Sequence, residues 1–511
     1  MGSGHIFRCR TLARQLQLRG ADVVFLCRSQ PGHLIELLMA EFCVVALPEQ
    51  ALLSTHRLSG RDLYRAWLGC TQAQDANDCI TALHLHGIFT IDILIVDHYA
   101  LDHEWEKSIS DGFSTSENLR ILAIDDLADR QHSADYLLDQ NFFGLRSSQR
   151  YSELVPKQCR QFLGPHYALL GPEYSSLHPL VSERKNLSRV LIFFGGIDPF
   201  HLTKMALCAL LQPQFNNLTV DIVLGMQSAD YDDLRFLVSQ RANTTLYESV
   251  DSLAGLMSRA DLAIGAGGST TWERACLSLP SLVVAVSDNQ LPFIEVLHKQ
   301  KFCTFLGKAN DISVDNFKEG IEQVLSKDLY HRSGKQLTDG FGSIRLTTAL
   351  LGFDGEPQLR LVLPTDEELL LRWANEPSVR VNSFNQAWIP HDSHHNWFVS
   401  GLRSPDRLHW ILVDTQKCPL GQIRFDRICG TNIATVDLSI DLSARGFGLA
   451  PTMLMKAMSL IPQHWGDGIQ VCADVFGSNA PSQSTFAKAG FAVDQNHSNN
   501  SVIRWIKTAN S

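Results

Sequence analysis

Apolar positions along the chain fall into two alternating kinds of run. One recurs at helical spacing: in "HIFRCRTLARQLQLRG", Ile6, Cys9, Ala13 and Leu16 share a face, and Gly20 stands where a helix stops. The other is short and continuously apolar. It reads "DVVFLC", "DILIVD" and "RILAIDD" up to about Leu180, then "RVLIFFGG", "TVDIVLG", "DLAIGAGG" and "SLVVAVS". Uninterrupted apolar strands separated by helices predict parallel sheets covered on both faces. The two blocks meet at the polar stretch "VSERKNLS", which predicts a hinge, with a cleft at the carboxyl ends of both sets of strands.

A second boundary is expected at "LLGFDGEPQLR", where Gly352, Gly355 and Pro357 interrupt the helical pattern. Beyond it come the strand "LRLVLP" and a helix opened by Thr365, with Glu368 completing a capping box. The runs "LHWILVD", "GQIRF" and "IATVDLSID", joined by short turns, then predict an antiparallel or mixed sheet. The expected fold is α/β: two doubly wound, Rossmann-like domains over 1–182 and 183–350, followed by an α+β domain over 358–508. No strand precedes the loop "GSGH", although such a loop is normally fed by one. The first strand is therefore expected either upstream of Met1 or to be missing from the fold.

At 511 residues the chain exceeds a single core, and 45% hydrophobic with 19% charged residues describes a soluble globular protein. A formal net charge of -10 argues against nucleic acid as a partner. No apolar run approaches the length of a membrane span, and the first helix lacks the apolar core of a signal peptide. Twelve cysteines are scattered without a C-x-x-C pair, which fits reduced, buried thiols and a cytoplasmic enzyme.

Five constellations carry candidate chemistry. In "GSGH", Gly2 and Gly4 let the backbone approach a ligand and His5 opens a helix, as a general base or as a simple cap. "DHYALD" places Asp97, His98 and Tyr99 at a strand's carboxyl end, and "AIDDLADR" does the same for Asp125 and Asp126; strand-terminating, helix-capping acids are the plainer reading. "FFGGIDP" and "IGAGGSTTWERAC" supply Gly195, Gly196, Gly265, Gly267, Gly268, Ser269 and Thr270 as an anion cradle, with Glu273 placed for a ribose or as an ordinary first-turn acid. No G-x-G-x-x-G is present, so a nicotinamide site is not expected. In "SARGFGLA", Arg445, Gly448 and Ala450 match R-x-x-G-x-A between a strand and a helix, a loop that turns amides toward a pyrophosphate. The cluster "HDSHH" (His391, Asp392, His394, His395) lacks an H-E-x-x-H pattern and a fourth ligand, so no metal is expected.

"GSGH", "DHY", "IDDLADR", "LLDQN", "FGGIDP", "GAGGSTTWERACLSLP" and "DNQ" occur in the order found in the UDP-sugar hydrolases of pseudaminic acid biosynthesis, and the first 350 residues or so resemble that family. The resemblance implies a GT-B-type arrangement of two Rossmann-like domains, and a strand ahead of the glycine-histidine loop, so a truncated or mis-started amino end is expected. It implies metal-independent, inverting hydrolysis of UDP-2,4-diacetamido-2,4,6-trideoxy-β-L-altropyranose. His5 would activate water, Asp97, His98 and Tyr99 would line the sugar side, and Gly195, Gly196, the second glycine loop, Ser269, Thr270, Glu273, Asn289 and Gln290 would hold UDP. Residues 358–508 resemble GNAT N-acetyltransferases of the nucleotide-sugar branch, through the Arg445 loop and "VFGSNAPSQSTFAKAGF", which supplies Asn479, Ser482, Lys488, Gly490 and Phe491. That resemblance implies acetyl-CoA as co-substrate, held by Arg445, Gly446, Gly448, Ala450, Asn479 and Ser482, with His394 at the acceptor sugar. Many GNAT enzymes carry a tyrosine general acid where this chain has Phe486. Two further readings stay open: a GT-B glycosyltransferase using a UDP-sugar donor, and a non-catalytic nucleotide-sugar sensor.

Overall fold

The computed structural model describes residues 4–50, 58, 60–113, 119–182, 184–225, 230–248, 250–326, 331–498 and 501–509. Gly2 of the first glycine loop and Glu183 of the polar stretch lie outside the described residues. The chain divides into two compact units, Met1–Ser343 and Ile344–Ser511. Both are mixed α/β, and the first is built on parallel sheets.

The helix Gly4–Leu18 forms where the apolar spacing predicts it and buries Leu12, Ala13 and Leu16. Gly20 ends it at φ +81°, a conformation glycine adopts without strain. Strands β1 (Val24–Arg28) and β2 (Cys43–Leu47) pair in parallel as a separate ribbon. Strands β3 (Ile93–Val96), β4 (Arg120–Ile124), β5 (Tyr136–Asp139) and β6 (Arg160–Leu163) form a second parallel sheet in sequential order. Among the described residues β1 pairs only with β2, and β3 only with β4. One core nevertheless joins them: Leu47 packs with Leu94, Val96, Trp105, Ile109 and Phe113, with Val24 and Leu26 against it.

The following six strands are β7 (Arg189–Phe193), β8 (Thr219–Val223), β9 (Thr244–Tyr247), β10 (Leu262–Ala266), β11 (Ser281–Ala285) and β12 (Thr304–Lys308). They run in parallel in the order β12-β11-β10-β7-β8-β9, which is a doubly wound sheet whose order reverses between β7 and β10. Its two faces bury separate apolar layers. Val190, Ile192, Val220, Ile222, Ile264 and Val284 pack on one side, and Leu191, Val223, Ala263 and Val283 on the other, which is why these strands read as unbroken apolar runs. The polar stretch between the blocks is tied down by Arg184, whose guanidinium donates to the carbonyls of Met257, Ala260, Leu277 and Ser278 at 2.6–3.1 Å.

The second unit is a seven-stranded mixed sheet of β13 (Gln358–Leu361), β14 (Arg407–Val413), β15 (Pro419–Arg427), β16 (Ile433–Ile440), β17 (Ile469–Phe476), β18 (Ala492–Val493) and β19 (Val502–Ala509). The order is β13-β14-β15-β16-β17-β19-β18, antiparallel except for β16 with β17. The helix Leu449–Trp465 buries Met453, Leu454, Ala457 and Ile461 into its core. Thr365 does not cap the next helix as expected. Pro364–Asp366 form a 3-10 turn in which the Asp366 carboxylate takes the Leu363 N–H (2.7 Å) and pairs with Arg360, so the helix begins at Glu367. All twelve cysteines are free thiols. Among the described residues no helix is long and apolar enough to cross a membrane.

Candidate functional site

His5 sits in the first turn of the first helix, and β3 delivers Asp97 to it: Nδ1 of His5 lies 2.6 Å from Oδ1 of Asp97. With the carboxylate as acceptor, Nδ1 carries the proton and Nε2 is left as the ring's acceptor nitrogen. Arg8, three residues on along the same helix face and only 7% exposed, donates from Nε to Asp97 Oδ2 at 2.7 Å and reaches Asp126 at 3.3 Å. Burial alone would raise the Asp97 carboxyl. The Arg8 guanidinium and His5 outweigh it and hold Asp97 well below the usual carboxylate range. Asp97 is thus held as an anion against His5 and Arg8.

His98 accepts the Ala100 N–H at Nδ1 (3.0 Å), which puts its ring proton on Nε2. Burial pushes its imidazole down to about 3, so it is a neutral hydrogen-bond donor. Tyr99 packs edge-on against His5 at 4.8 Å between centroids, and burial with the nearby Asp126 carboxylate raises its phenol. Of the other acids at strand ends, Asp102 caps the helix His103–Gly112 by accepting the Glu104 N–H. Asp125 is fully buried, accepting the Leu127 and Ala128 amides and pairing with Arg130 at 2.7 Å. For these two the structural reading of a strand-end acid holds.

The loops after β7 and β10 emerge at the point where the strand order reverses, the position at which doubly wound sheets bind ligands. Gly195 has φ +102° and open space around its missing side chain. Gly265 and Gly267 have a different reason to be glycine. A Cβ on Gly265 would stand 2.3 Å from Phe193 O, and one on Gly267 2.1 Å from Ile294 Cδ1. Those two glycines serve close packing, while Gly268 faces freer space, with Gln290 Nε2 at 3.9 Å as its nearest neighbour. Ser269 is the N-cap of the helix Thr270–Cys276 and its side chain makes no capping bond. Glu273 accepts the Tyr174 hydroxyl at 2.7 Å, and burial raises its carboxyl. Gln290 accepts the Val286 N–H at 3.0 Å.

The two halves of the first unit meet at these residues. Asn289 Nδ2 donates to the Tyr99 hydroxyl at 3.2 Å, and a Cβ on Gly4 would stand 3.5 Å from Ser269 Oγ. The structure therefore brings His5, Asp97, Tyr99, Ser269 and Asn289 into one neighbourhood. Arg8 and Asp126 belong to the same cluster. Arg8 has no motif of its own, and its i, i+3 spacing from His5 was the one signal available.

In the second unit, Gly446 (φ +90°) and Gly448 (φ +74°) form the loop entering the helix Leu449–Trp465, with Gly448 as its N-cap and Ala450 in the first turn. Arg445 does not point its charge into that loop. It pairs with Glu376 at 2.8 Å and donates to Ser378 Oγ and Ile440 O. Asn479 caps the helix Ala480–Lys488 by accepting the Ser482 N–H at 3.2 Å. Phe486 is core, 4% exposed and packed on Phe491. β16 pairs with β15 along its length but with β17 only at Ile433–Thr435, so among the described residues its later positions have no strand partner on the β17 side. His391 and His395 contact Glu368 and Glu367, while His394 is 3% exposed beside Trp397 and Phe398, pushed down to about 4 by burial, with neither ring nitrogen hydrogen-bonded. Among the described residues no group of three or more His, Cys, Asp or Glu is placed to hold a metal ion.

The fold and cluster define a two-unit α/β protein with a polar site at a sheet's switch point. No family model matches the chain. The spore coat polysaccharide biosynthesis protein SpsG of Bacillus subtilis is 26% identical over 212 residues, which cover 40% of this chain and 62% of that protein. The chain thus spans less than two thirds of that relative's length. The uncharacterized protein MJ1062 of Methanocaldococcus jannaschii is 23% identical over 430 residues, covering 81% of this chain and 78% of that one. That span is longer than the 343 residues of the first unit, so the likeness continues into the second. Among solved structures, spermidine N-acetyltransferase from Vibrio cholerae in complex with CoA and spermine aligns at 16% identity with a TM-score of 0.27, covering 30% of this chain and 95% of its own. A domain from Methanocaldococcus jannaschii aligns at 17% identity and a TM-score of 0.27, covering 30% and 99%.

Proposed function

We propose that the chain is a bifunctional nucleotide-sugar enzyme, in which the first unit hydrolyses a UDP-sugar and the second N-acetylates an amino sugar nucleotide with acetyl-CoA. The observation that carries the first half is the His5–Asp97 pair, with the neighbouring Gly4 set against Ser269 and Tyr99, packed on His5, bonded by Asn289. Asp97 holds the imidazole in the tautomer whose Nε2 accepts a proton. Water then attacks the anomeric carbon, its proton passes to Nε2, and the bond from that carbon to the UDP oxygen breaks with the electron pair leaving on UDP. Developing charge on the diphosphate is met by the amides of the Gly268–Thr270 loop and the Ser269 hydroxyl. No acceptor other than water is needed. Likeness to a polysaccharide biosynthesis protein supports a sugar-nucleotide substrate, and the motif resemblance points to UDP-2,4-diacetamido-2,4,6-trideoxy-β-L-altropyranose.

For the second unit, the Gly446–Gly448 loop offers backbone amides at a helix start to the pyrophosphate of acetyl-CoA. The unpaired edge of β16 suits the amides of its pantetheine arm, as an added strand would. Arg445, committed to Glu376, would brace that loop rather than bind the ligand. Acetylation of an amino UDP-sugar makes the acetamido UDP-sugar that the first unit consumes. Incubating the protein with candidate UDP-diacetamido sugars and no acceptor, and following UDP by NMR, tests the reading. Release of UDP supports hydrolysis, transfer only with an added sugar acceptor supports a glycosyltransferase, and tight binding without turnover supports a sensor.

A further inference from the structure

Behind the doubly wound sheet lies a second cavity, of about 690 Å³. Its lining includes Leu187, Asp261 and Ser281, which precede or open β7, β10 and β11, whereas the glycine loops follow β7 and β10. The cavity therefore lies beside the amino ends of these strands, and Thr271 and Arg274 carry its lining toward the loop after β10. Arg184, Arg274, Arg332 and Lys335 all line it, and none of the four forms an ion pair among the described residues. Arg184 and Lys335 donate only to backbone carbonyls, and Arg332 to Gln336 while stacking at 4.9 Å over Phe302. Arg274 is 3% exposed; its Nη atoms reach Thr270 Oγ1, Thr271 Oγ1 and Ala266 O, and its Nε is buried with no partner. Asp261 is committed to the Ser188 and Arg189 amides and the Ser188 hydroxyl. Burial outweighs the Asp261 charge at Arg184 and the Glu273 charge at Arg274, lowering Arg184 and Lys335 and bringing Arg274 down to about 10.

Arg184, Lys185, Arg274, Arg332 and Lys335 line one cavity against a single lining carboxylate, Asp261, which is taken up by Ser188 and the Arg189 amide, so positive charge is in excess there. Buried charges are ordinarily paired, and an unpaired guanidinium is costly. The geometry points to an anion site: we propose that this cavity takes a small molecule bearing a phosphate or diphosphate group. Arg332 and Lys335 meet the anion at the rim, Arg274 Nε meets it in the interior, and Trp272 and Phe302 offer an apolar wall to an organic ester. This site is independent of the hydrolase reading, since none of its cations is assigned a part in the reaction. Arg274 touches both the cavity and the Thr270 end of the loop, so occupancy at one end can be felt at the other.

The test is calorimetric titration of the full chain at low salt with two probes, inorganic pyrophosphate and phenyl phosphate. Pyrophosphate also suits the glycine loop, so the Ser269→Ala variant, which keeps the Thr270 hydroxyl that Arg274 bonds, is titrated beside the parent. The site predicts binding that survives in that variant and weakens about tenfold or more in Arg332→Gln/Lys335→Gln, in line with the loss of charge-assisted hydrogen bonds. The charge-keeping pair Arg332→Lys/Lys335→Arg should retain binding, and tighter binding of phenyl phosphate than of pyrophosphate would mark an organic ester as the ligand. As a check free of substitutions, either probe should protect Lys335 of the parent from acylation by an N-hydroxysuccinimide ester, read by mass spectrometry. Absence of binding by both probes, binding lost only in the Ser269→Ala variant, or unprotected Lys335 at saturating probe would overturn the proposal.

Discussion

Asp97 stands 2.6 Å from His5 and 2.7 Å from Arg8, and the account gives it a positioning role: it sets which nitrogen of His5 is free. His5→Asn should lower UDP release by about 10²–10⁴-fold, the usual worth of a general base, with the fold intact by circular dichroism. Asp97→Asn should reduce kcat similarly, and it should also destabilise the first unit by up to about 3 kcal/mol, because buried Arg8 keeps only the longer Asp126 contact at 3.3 Å. The depressed Asp97 carboxyl contributes stability that is present above its unfolded value near 3.9 and lost as pH falls toward its folded value. The variant's deficit in a urea melt should accordingly shrink below about pH 4.

His132 gives the opposite sign. Burial opposes its charge, but Asp125 and Glu106 prevail and raise it to about 9: Nδ1 sits 2.6 Å from Glu106 Oε1, and Nε2 sits 3.8 Å from Asp125 in an ion pair without a hydrogen bond. A raised histidine contributes stability that is full below its unfolded value near 6.5 and lost as pH rises through about 9. His132→Asn should flatten that alkaline limb in melts taken between pH 6.5 and 9. None of this was legible in the sequence. Each of these roles depends on partners far away along the chain, as His5 and Asp97 are from each other, and spacing alone cannot report them. The pattern did single out His5 and Asp97 themselves, because a loop histidine and a strand-end acid are recognisable locally.

Among the elements, the runs read as strands in the first unit all formed strands: β1, β3, β4, β7, β8, β10 and β11, with Asp221 the one charged residue inside β8. Shorter or more polar strands such as β9 ("TTLY") and β6 ("RQFL") have no such signature and owe their existence to sheet neighbours. Glycine roles were similarly half legible. "GAGG" marks a backbone special, but only packing shows that Gly267 abuts Ile294. Gly267→Ala should therefore destabilise the first unit by about 1–3 kcal/mol even without ligand, measurable as a lower midpoint in a thermal melt. Gly448→Glu acts differently. Nothing lies within 4 Å of the added Cβ, so the cost is the left-handed φ of +74° together with a carboxylate at the entrance to the helix Leu449–Trp465. Acetyl-CoA binding by calorimetry should be lost in that variant while Gly448→Ala, strained but uncharged, keeps part of it.

The whole molecule has two compact units, and a relative in Methanocaldococcus jannaschii is similar over a span longer than the first of them. The alternation of strand and helix followed by an antiparallel texture pointed to parallel sheets ahead of a mixed one, because sheet type is written in whether strands are apolar throughout or alternate. The three domains expected from the same pattern stand against two compact units. The proposed chemistry makes the units separable: Gly448→Glu should abolish acetyl transfer and leave UDP release at the parent's rate. The most direct measurement of the central claim is phosphorus and proton NMR of UDP-2,4-diacetamido-2,4,6-trideoxy-β-L-altropyranose with the parent and with His5→Asn, in water with no sugar acceptor. The account predicts UDP and the free sugar appearing with inverted anomeric configuration in the parent, and release at least about a hundredfold slower in the variant. Equal release by a folded His5→Asn protein, or none by the parent until an acceptor is added, would contradict it.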